Sequence, residues 1–206
     1  ARLSFVFGVD LSPDNIENRI DGACSRYLNT KKTTRTMPAA LFVVGDSQFN
    51  IRTGENMTGK AKQITESVFG TAPKNASLGK GVEKHYGVGE DGFNVTSCQF
   101  ALHYFFEDNK ILNRFLRNVA ECTKVGGYFI GTCYDGARIF NMLKGKNKHD
   151  EIELYNAKTK TKIWGVTKLY DEDTFDDDHS SVGYKINVFQ ETINKKAIEY
   201  LVNFEY

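Results

Sequence analysis

The least ordinary stretch of this 206-residue chain is Ser97-Cys98-Gln99-Phe100-Ala101-Leu102-His103-Tyr104-Phe105-Phe106. Gln99, His103 and Tyr104 follow directly on a run with the texture of a strand. Polar groups at a strand's carboxyl end have a reason to face a crevice when neighbouring aromatics can stack on a planar ligand. A histidine among aromatics serves equally as a core or capping residue, so this stretch alone leaves both readings open. Asp10 closes the apolar run Leu3 to Val9, where its carboxylate can accept both hydroxyl protons of a ribose or simply cap the next helix. Asp46 closes Leu41 to Val44 in Val44-Gly45-Asp46-Ser47, where it can accept from the exocyclic amine of an adenine or serve a turn.

Other chemistry finds little support. No G-x-S-x-G, H-E-x-x-H or G-x-x-x-x-G-K-[ST] element is present, which removes serine-hydrolase, zincin and P-loop readings. The acidic stretch Asp171 to Asp178 lacks the glycine and the final glutamate of the known calcium loop and reads as a solvated loop. Lys144, Lys146 and Lys148 form a basic patch that can touch phosphate or merely solvate a loop. Cys24, Cys98, Cys122 and Cys133 have no C-x-x-C spacing, which disfavours a zinc site or a disulfide framework and fits a reducing, intracellular compartment. With 27 basic and 26 acidic residues the chain does not coat nucleic acid by charge, so any RNA contact must be local. The composition is that of a globular protein, and no apolar run approaches the roughly 18 residues that cross a bilayer.

The elements that must position these residues alternate. The run ending at Asp10 reads as a strand, and Ser12-Pro13-Asp14 then supplies a cap and first-turn proline for a helix through about Tyr27. Leu41 to Val44 and Phe93 to Cys98 read as further strands, and Ile111, Leu112, Phe115, Leu116 and Val119 predict a helix over 111–122. Val125-Gly126-Gly127 reads as a turn, the tight entry to a fourth strand from Tyr128 to Thr132. Residues 54–90 read as mostly irregular, a lid or insertion with one helical turn over 60–68. Strands alternating with helices indicate a parallel sheet with ligands at its carboxyl ends. From about Glu151 the alternation in Lys162 to Val166 and Tyr184 to Phe189 predicts antiparallel strands.

In order along the chain, Ser97-Cys98-Gln99-Phe100, His103-Tyr104-Phe105, Gly126-Gly127-Tyr128-Phe129-Ile130-Gly131-Thr132 and Glu199-Tyr200-Leu201-Val202-Asn203-Phe204 resemble the eukaryotic and viral mRNA cap guanine-N7 methyltransferases. Asp10 to Asn29 and Gly183 to Glu191 resemble in particular the methyltransferase segment of capping enzymes from large DNA viruses. The resemblance implies an α/β fold, a class I S-adenosylmethionine-dependent methyltransferase. This is Rossmann-like, a mostly parallel sheet with helices on both faces, in which residues 1–150 form the cofactor half. Residues 151–206 would form an antiparallel appendage that completes the cap pocket. It implies transfer of a methyl group from S-adenosyl-L-methionine to N7 of the guanine at the 5' end of capped mRNA. This would take place in the nucleus or cytoplasm of a host cell or in a virion, without a membrane partner. Fused triphosphatase and guanylyltransferase domains, or an activating subunit, would complete the capping pathway.

Carried over residue by residue, Asp10 resembles the ribose carboxylate and Asp46 with Ser47 the adenine contacts. Gln99 and Tyr104 resemble contacts to the methionine moiety, with Phe100 beside them in the cofactor site. His103, Tyr104 and Glu199 resemble cap-guanine ligands, and Arg26 lies where a cap-phosphate contact is expected. No catalytic nucleophile and no metal are implied. The family's glycine-rich loop and a preceding lysine are expected upstream of Ala1, and closing strands with an aromatic cap contact beyond Tyr206, so the chain reads as part of a longer domain. Cys133-Tyr134 stands where the family usually has a proline, which removes support for a cap contact there. Two rival classes keep their place: a methyltransferase with another substrate, and a non-catalytic module of a capping complex. A dinucleotide oxidoreductase shares the alternating pattern but leaves Gln99, His103 and Tyr104 unexplained.

Overall fold

Phe5–Asp10 forms strand β1 and Ala39–Val44 forms β2, both built from the β-branched and aromatic residues that suit a pleated surface. In the computed structural model, which describes residues 3–206, they pair in parallel with Asp10 opposite Val44. A parallel pair needs a crossover, and residues 11–38 provide it. The single helix expected there is broken in two. Helix α1 covers Pro13–Glu17, with the Ser12 hydroxyl accepting from the Asn15 amide at 3.3 Å. The Asn18 side chain then accepts from the amides of Ile20 (2.9 Å) and Asp21 (3.4 Å), a local alternative to helical bonding, and α2 restarts over Ala23–Thr33.

Within the segment read as a mostly irregular lid or insertion, the helical turn expected over 60–68 is present, and its C-terminal end is core where a lid is expected. Helix α3 runs over Gly59–Phe69 and closes on Gly70 in the left-handed conformation. Val68 and Phe69 are fully buried and pack with Phe5, Phe7, Leu41, Phe93 and Cys122. Two of its buried positions are Thr65 and Ser67, so apolar periodicity could not reveal the inner face. The Thr65 hydroxyl is satisfied by the carbonyl of Ala61 at 2.8 Å. A short helix α4, Lys80–Glu83, follows.

Strand β3, Phe93–Gln99, pairs with β4, Thr123–Thr132, across helix α5, Asn109–Cys122. Gly127 lies beside the Asn94 carbonyl and Gly131 beside that of Cys98, a progression in one sense that makes the pair parallel. Gly126 and Gly127 are therefore inside β4 and do not form a turn before it. Gly126 holds φ +80°, and a Cβ on Gly127 would stand 2.9 Å from the Asn94 oxygen, so the backbones approach as only glycine permits. On α5 the buried positions are Leu112, Phe115, Asn118 and Cys122, whereas Leu116, counted in the expected apolar stripe, is exposed.

Helix α6, Gly136–Leu143, is not among the elements expected from the sequence. Asp135 caps it by accepting from the Arg138 amide at 3.0 Å. Strands β5 (Glu151–Tyr155), β6 (Lys162–Lys168), β7 (Lys185–Gln190) and β8 (Lys195–Tyr200) form an antiparallel sheet in sequence order, as the change of texture predicts. Ile139, Phe140 and Leu143 of α6 pack on Val166, Ile186, Val188 and Leu201 of this part. The architecture is thus mixed α/β, with two parallel strand pairs and one antiparallel sheet. Contacts group the chain into two units, one comprising residues up to Thr96 with Arg114–Tyr128, the other Ser97–Asn113 with Phe129–Tyr206.

Candidate functional site

In the first unit, parallel pairing brings Asp10 and Asp46 to the same carboxyl end, Asp46 lying two residues beyond the partner of Asp10. Asp10 Oδ1 accepts from the Ser12 amide at 2.8 Å, and the Asn15 amide group lies 3.1 and 3.2 Å from its two oxygens. It therefore does serve the entry to α1, yet an ionised carboxylate has about four acceptor positions and these bonds leave capacity. Asp46 Oδ1 accepts from the Gln48 amide at 2.9 Å, which shapes the turn, and among the described residues its Oδ2 accepts no hydrogen bond. Ser47 is held through its carbonyl, which accepts from the Asn118 side chain at 2.8 Å. Arg26 is exposed on α2 and its side chain makes no hydrogen bond or ion pair among the described residues.

In the second unit, Gln99 ends β3. Its Oε1 accepts from the Thr132 hydroxyl at 2.8 Å, and its Nε2 donates to Ser97 Oγ at 2.9 Å. Phe100 has φ +52° and a side chain 71% exposed, and its amide donates to the Thr132 carbonyl at 2.8 Å. A left-handed aromatic costs about 1–2 kcal/mol, and such strain concentrates at functional sites. The chain then enters a 3-10 segment, Leu102–Glu107, which buries His103, Phe105 and Phe106 and leaves Tyr104 half-exposed. The rings of His103 and Tyr104 meet edge to face at 4.2 Å between centroids.

Strand β8 packs on this segment and brings Glu199 to His103. Both residues are 5% exposed, with Nε2 and Oε2 3.7 Å apart, too long for a hydrogen bond. Among the described residues, neither ring nitrogen of His103 nor Glu199 Oε2 has a hydrogen-bond partner. Burial lowers the His103 imidazole to about 4 and raises the Glu199 carboxyl to about 7, so near neutrality the histidine is neutral and this is no ion pair. An unsatisfied buried polar group costs about 1–3 kcal/mol, and here two stand side by side. Their open valences suit a ligand that brings its own donors.

One lysine of the basic loop is held by the acidic one. Lys148 pairs with Asp171 at 2.6 Å, and the Lys146 carbonyl accepts from buried Lys168 at 3.1 Å. Sequence reasoning missed Asn118, whose side chain ties α5 to the stretch after Asp46. An asparagine in an apolar helical stripe was the available signal.

One unit carries a parallel strand pair with acids at its carboxyl end, and the other an unsatisfied acid and imidazole buried beside an aromatic segment; both belong to a mixed α/β fold and each offers acceptors to a polar planar ligand. The chain belongs to the mRNA (guanine-N(7))-methyltransferase domain family, whose model matches residues 2–206. This bears out the resemblance read from the motifs around Gln99, Gly127 and Glu199. The chain is 28% identical over 211 residues to the probable mRNA-capping enzyme of Acanthamoeba polyphaga mimivirus, an alignment covering 100% of this chain and 16% of that protein. To the mRNA cap guanine-N(7) methyltransferase of Aspergillus clavatus it is 31% identical over 140 residues, 57% of this chain and 25% of that protein. To the Caenorhabditis elegans protein of the same name it is 48% identical over 59 residues, 28% of this chain and 16% of that protein. These alignments span 16–25% of the relatives' length.

Proposed function

We propose that this chain is the part of an mRNA cap methyltransferase that holds the methyl donor and the cap guanine, within a class I Rossmann-like arrangement. The carrying observation is the buried, unpartnered pair His103 and Glu199. Guanine presents N1–H and an exocyclic amine on one edge, and an ionised Glu199 accepts from both, as an acidic acceptor should. His103 offers a neutral ring nitrogen beside it, and Tyr104 an aromatic edge. Residues 151–206 then complete the cap pocket, while residues 1–150 serve the cofactor.

The residues fit S-adenosylmethionine by their acceptor chemistry. Asp10 keeps acceptor capacity on Oδ2 for a ribose hydroxyl, and the open Oδ2 of Asp46 suits an adenine amine with Ser47 beside it. Gln99, Phe100 and Tyr104 are assigned to the methionine end, and Arg26 to the cap phosphates. When bound, S-adenosylmethionine supplies a methyl already activated on a sulfonium. The chain need not move a proton at guanine N7, which is unprotonated at neutral pH, so its residues act by orientation, worth up to ~7–11 kcal/mol of a barrier. Capped mRNA is the proposed partner, with the other capping activities on the same longer polypeptide or on a subunit beside it.

The test compares cap-analogue and GTP binding with methylation of capped RNA by the full-length protein. Glu199→Ala and His103→Ala are expected to raise the KM for capped RNA at least about tenfold while leaving S-adenosylmethionine affinity near the parent value. Unchanged cap methylation in both variants would remove the guanine pocket from these residues. No preference for cap analogue over GTP would point to another substrate, and no cofactor binding by the full-length protein to a non-catalytic module.

A further inference from the structure

Asn118 lies on the buried stripe of α5 between Phe115 and Cys122 and is 3% exposed. Asparagine is a weak helix former, and a buried amide costs free energy unless every donor and acceptor is used. Here the amide is spent on one loop. Its Nδ2 donates to the carbonyls of Ser47 at 2.8 Å and Phe49 at 2.7 Å, and its Oδ1 accepts from the Ile51 amide at 2.9 Å. Three alternate backbone groups directly after Asp46 are thus fixed by one rigid side chain. A second tie, Asn50 Nδ2 to Glu121 Oε2 at 2.7 Å, comes from the next turn of the same helix. Within the loop, Asp46 accepts from Gln48 through its carboxylate and from Phe49 through its carbonyl, so the carboxylate's direction follows the loop's position.

We propose that Asn118 is a positioning residue that sets recognition of the adenine base, aiming Asp46 and Ser47 by clamping the 47–51 backbone to α5. This rests on the reading of Asp46 and Ser47 as adenine contacts. The clamp confers selectivity as well as affinity. A carboxylate oxygen fixed for an amine donor meets a carbonyl oxygen when the base is hypoxanthine, and it can discriminate only if it cannot swing away.

The test measures binding of S-adenosylhomocysteine and S-inosylhomocysteine to the full-length parent protein and to Asn118→Leu, which keeps volume without hydrogen bonds. Amide exchange over 47–52 and cap-analogue affinity are followed alongside. The expected result is a loss of about tenfold in S-adenosylhomocysteine affinity, a narrowed adenine-to-hypoxanthine ratio, faster exchange at Ile51 and unchanged cap-analogue binding. Parent-like affinity and ratio would overturn the proposal, and so would an equal loss of cap-analogue binding, which marks general loosening. Asp46→Asn separates the two levels. If it collapses the ratio while Asn118→Leu does not, the clamp fails and the adenine reading stands; if neither variant moves the ratio, both fail. Should the leucine variant not fold, Asn118→Ser, which is too short to span the loop, is held to the same outcomes.

Discussion

His103 and Glu199 pull the molecule's pH dependence in opposite directions. The imidazole falls from 6.5 to about 4 on folding, so the unfolded chain binds a proton that the folded one refuses, and stability is lost as pH drops from about 6.5 toward 4. The carboxyl rises from 4.5 to about 7, so the folded chain keeps a proton that the unfolded one has released, and stability is lost as pH climbs from 4.5 toward 7. Together they nearly cancel between about 4.5 and 6.5. Glu199→Gln should expose the histidine's slope, with the urea midpoint rising up to pH about 6.5, and His103→Gln the glutamate's, with the midpoint falling up to pH about 7. Superimposable pH profiles for the two variants would mean that the side chains titrate in solvent. Phe100 offers a different trade. Phe100→Gly removes the left-handed penalty of about 1–2 kcal/mol and should raise the melting temperature, yet weaken S-adenosylmethionine binding if the exposed ring lines the cofactor site. A gain in stability with full cofactor affinity would leave the strain without a functional purpose.

At the scale of elements, α3 lies where a helical turn is expected, and what departs from expectation is its burial. Its lysines, glycines and threonines suggest a surface segment, but Val68 and Phe69 lie inside the cluster that joins β1, β2 and β3. Phe69→Ala should therefore cost about 3–5 kcal/mol in chemical denaturation, as a large buried aromatic does when truncated. A lid would tolerate the change with no shift in the midpoint. The broken helix after β1 teaches the same lesson from the other side: Asn18 satisfies its neighbours' amides locally, and the Ser12 cap with Pro13 in the first turn does not carry the helix past it.

For the whole molecule, charge balance and thiol chemistry set broad behaviour. All four cysteines are free, and burial pushes Cys98 and Cys122 up to about 11, so their nucleophilic thiolate forms are scarce at neutral pH. A reducing agent should leave the melting temperature unchanged, and a drop on reduction would reveal a bridge. By itself the amino-acid sequence determined the family, the alternation of strands with helices followed by antiparallel strands, and the acids at the carboxyl ends of β1 and β2. These are local properties: a run of apolar residues, the small or acidic residue that stops it, and motifs short enough to be read without a partner. Only the tertiary structure decided that Glu199 reaches His103 from far along the chain, that the pair has no partner, that α3 is core, and that Asn118 holds the backbone after Asp46. Each of these depends on burial created by distant segments. A polar residue on a buried face is invisible to apolar periodicity until the surfaces that cover it are in place.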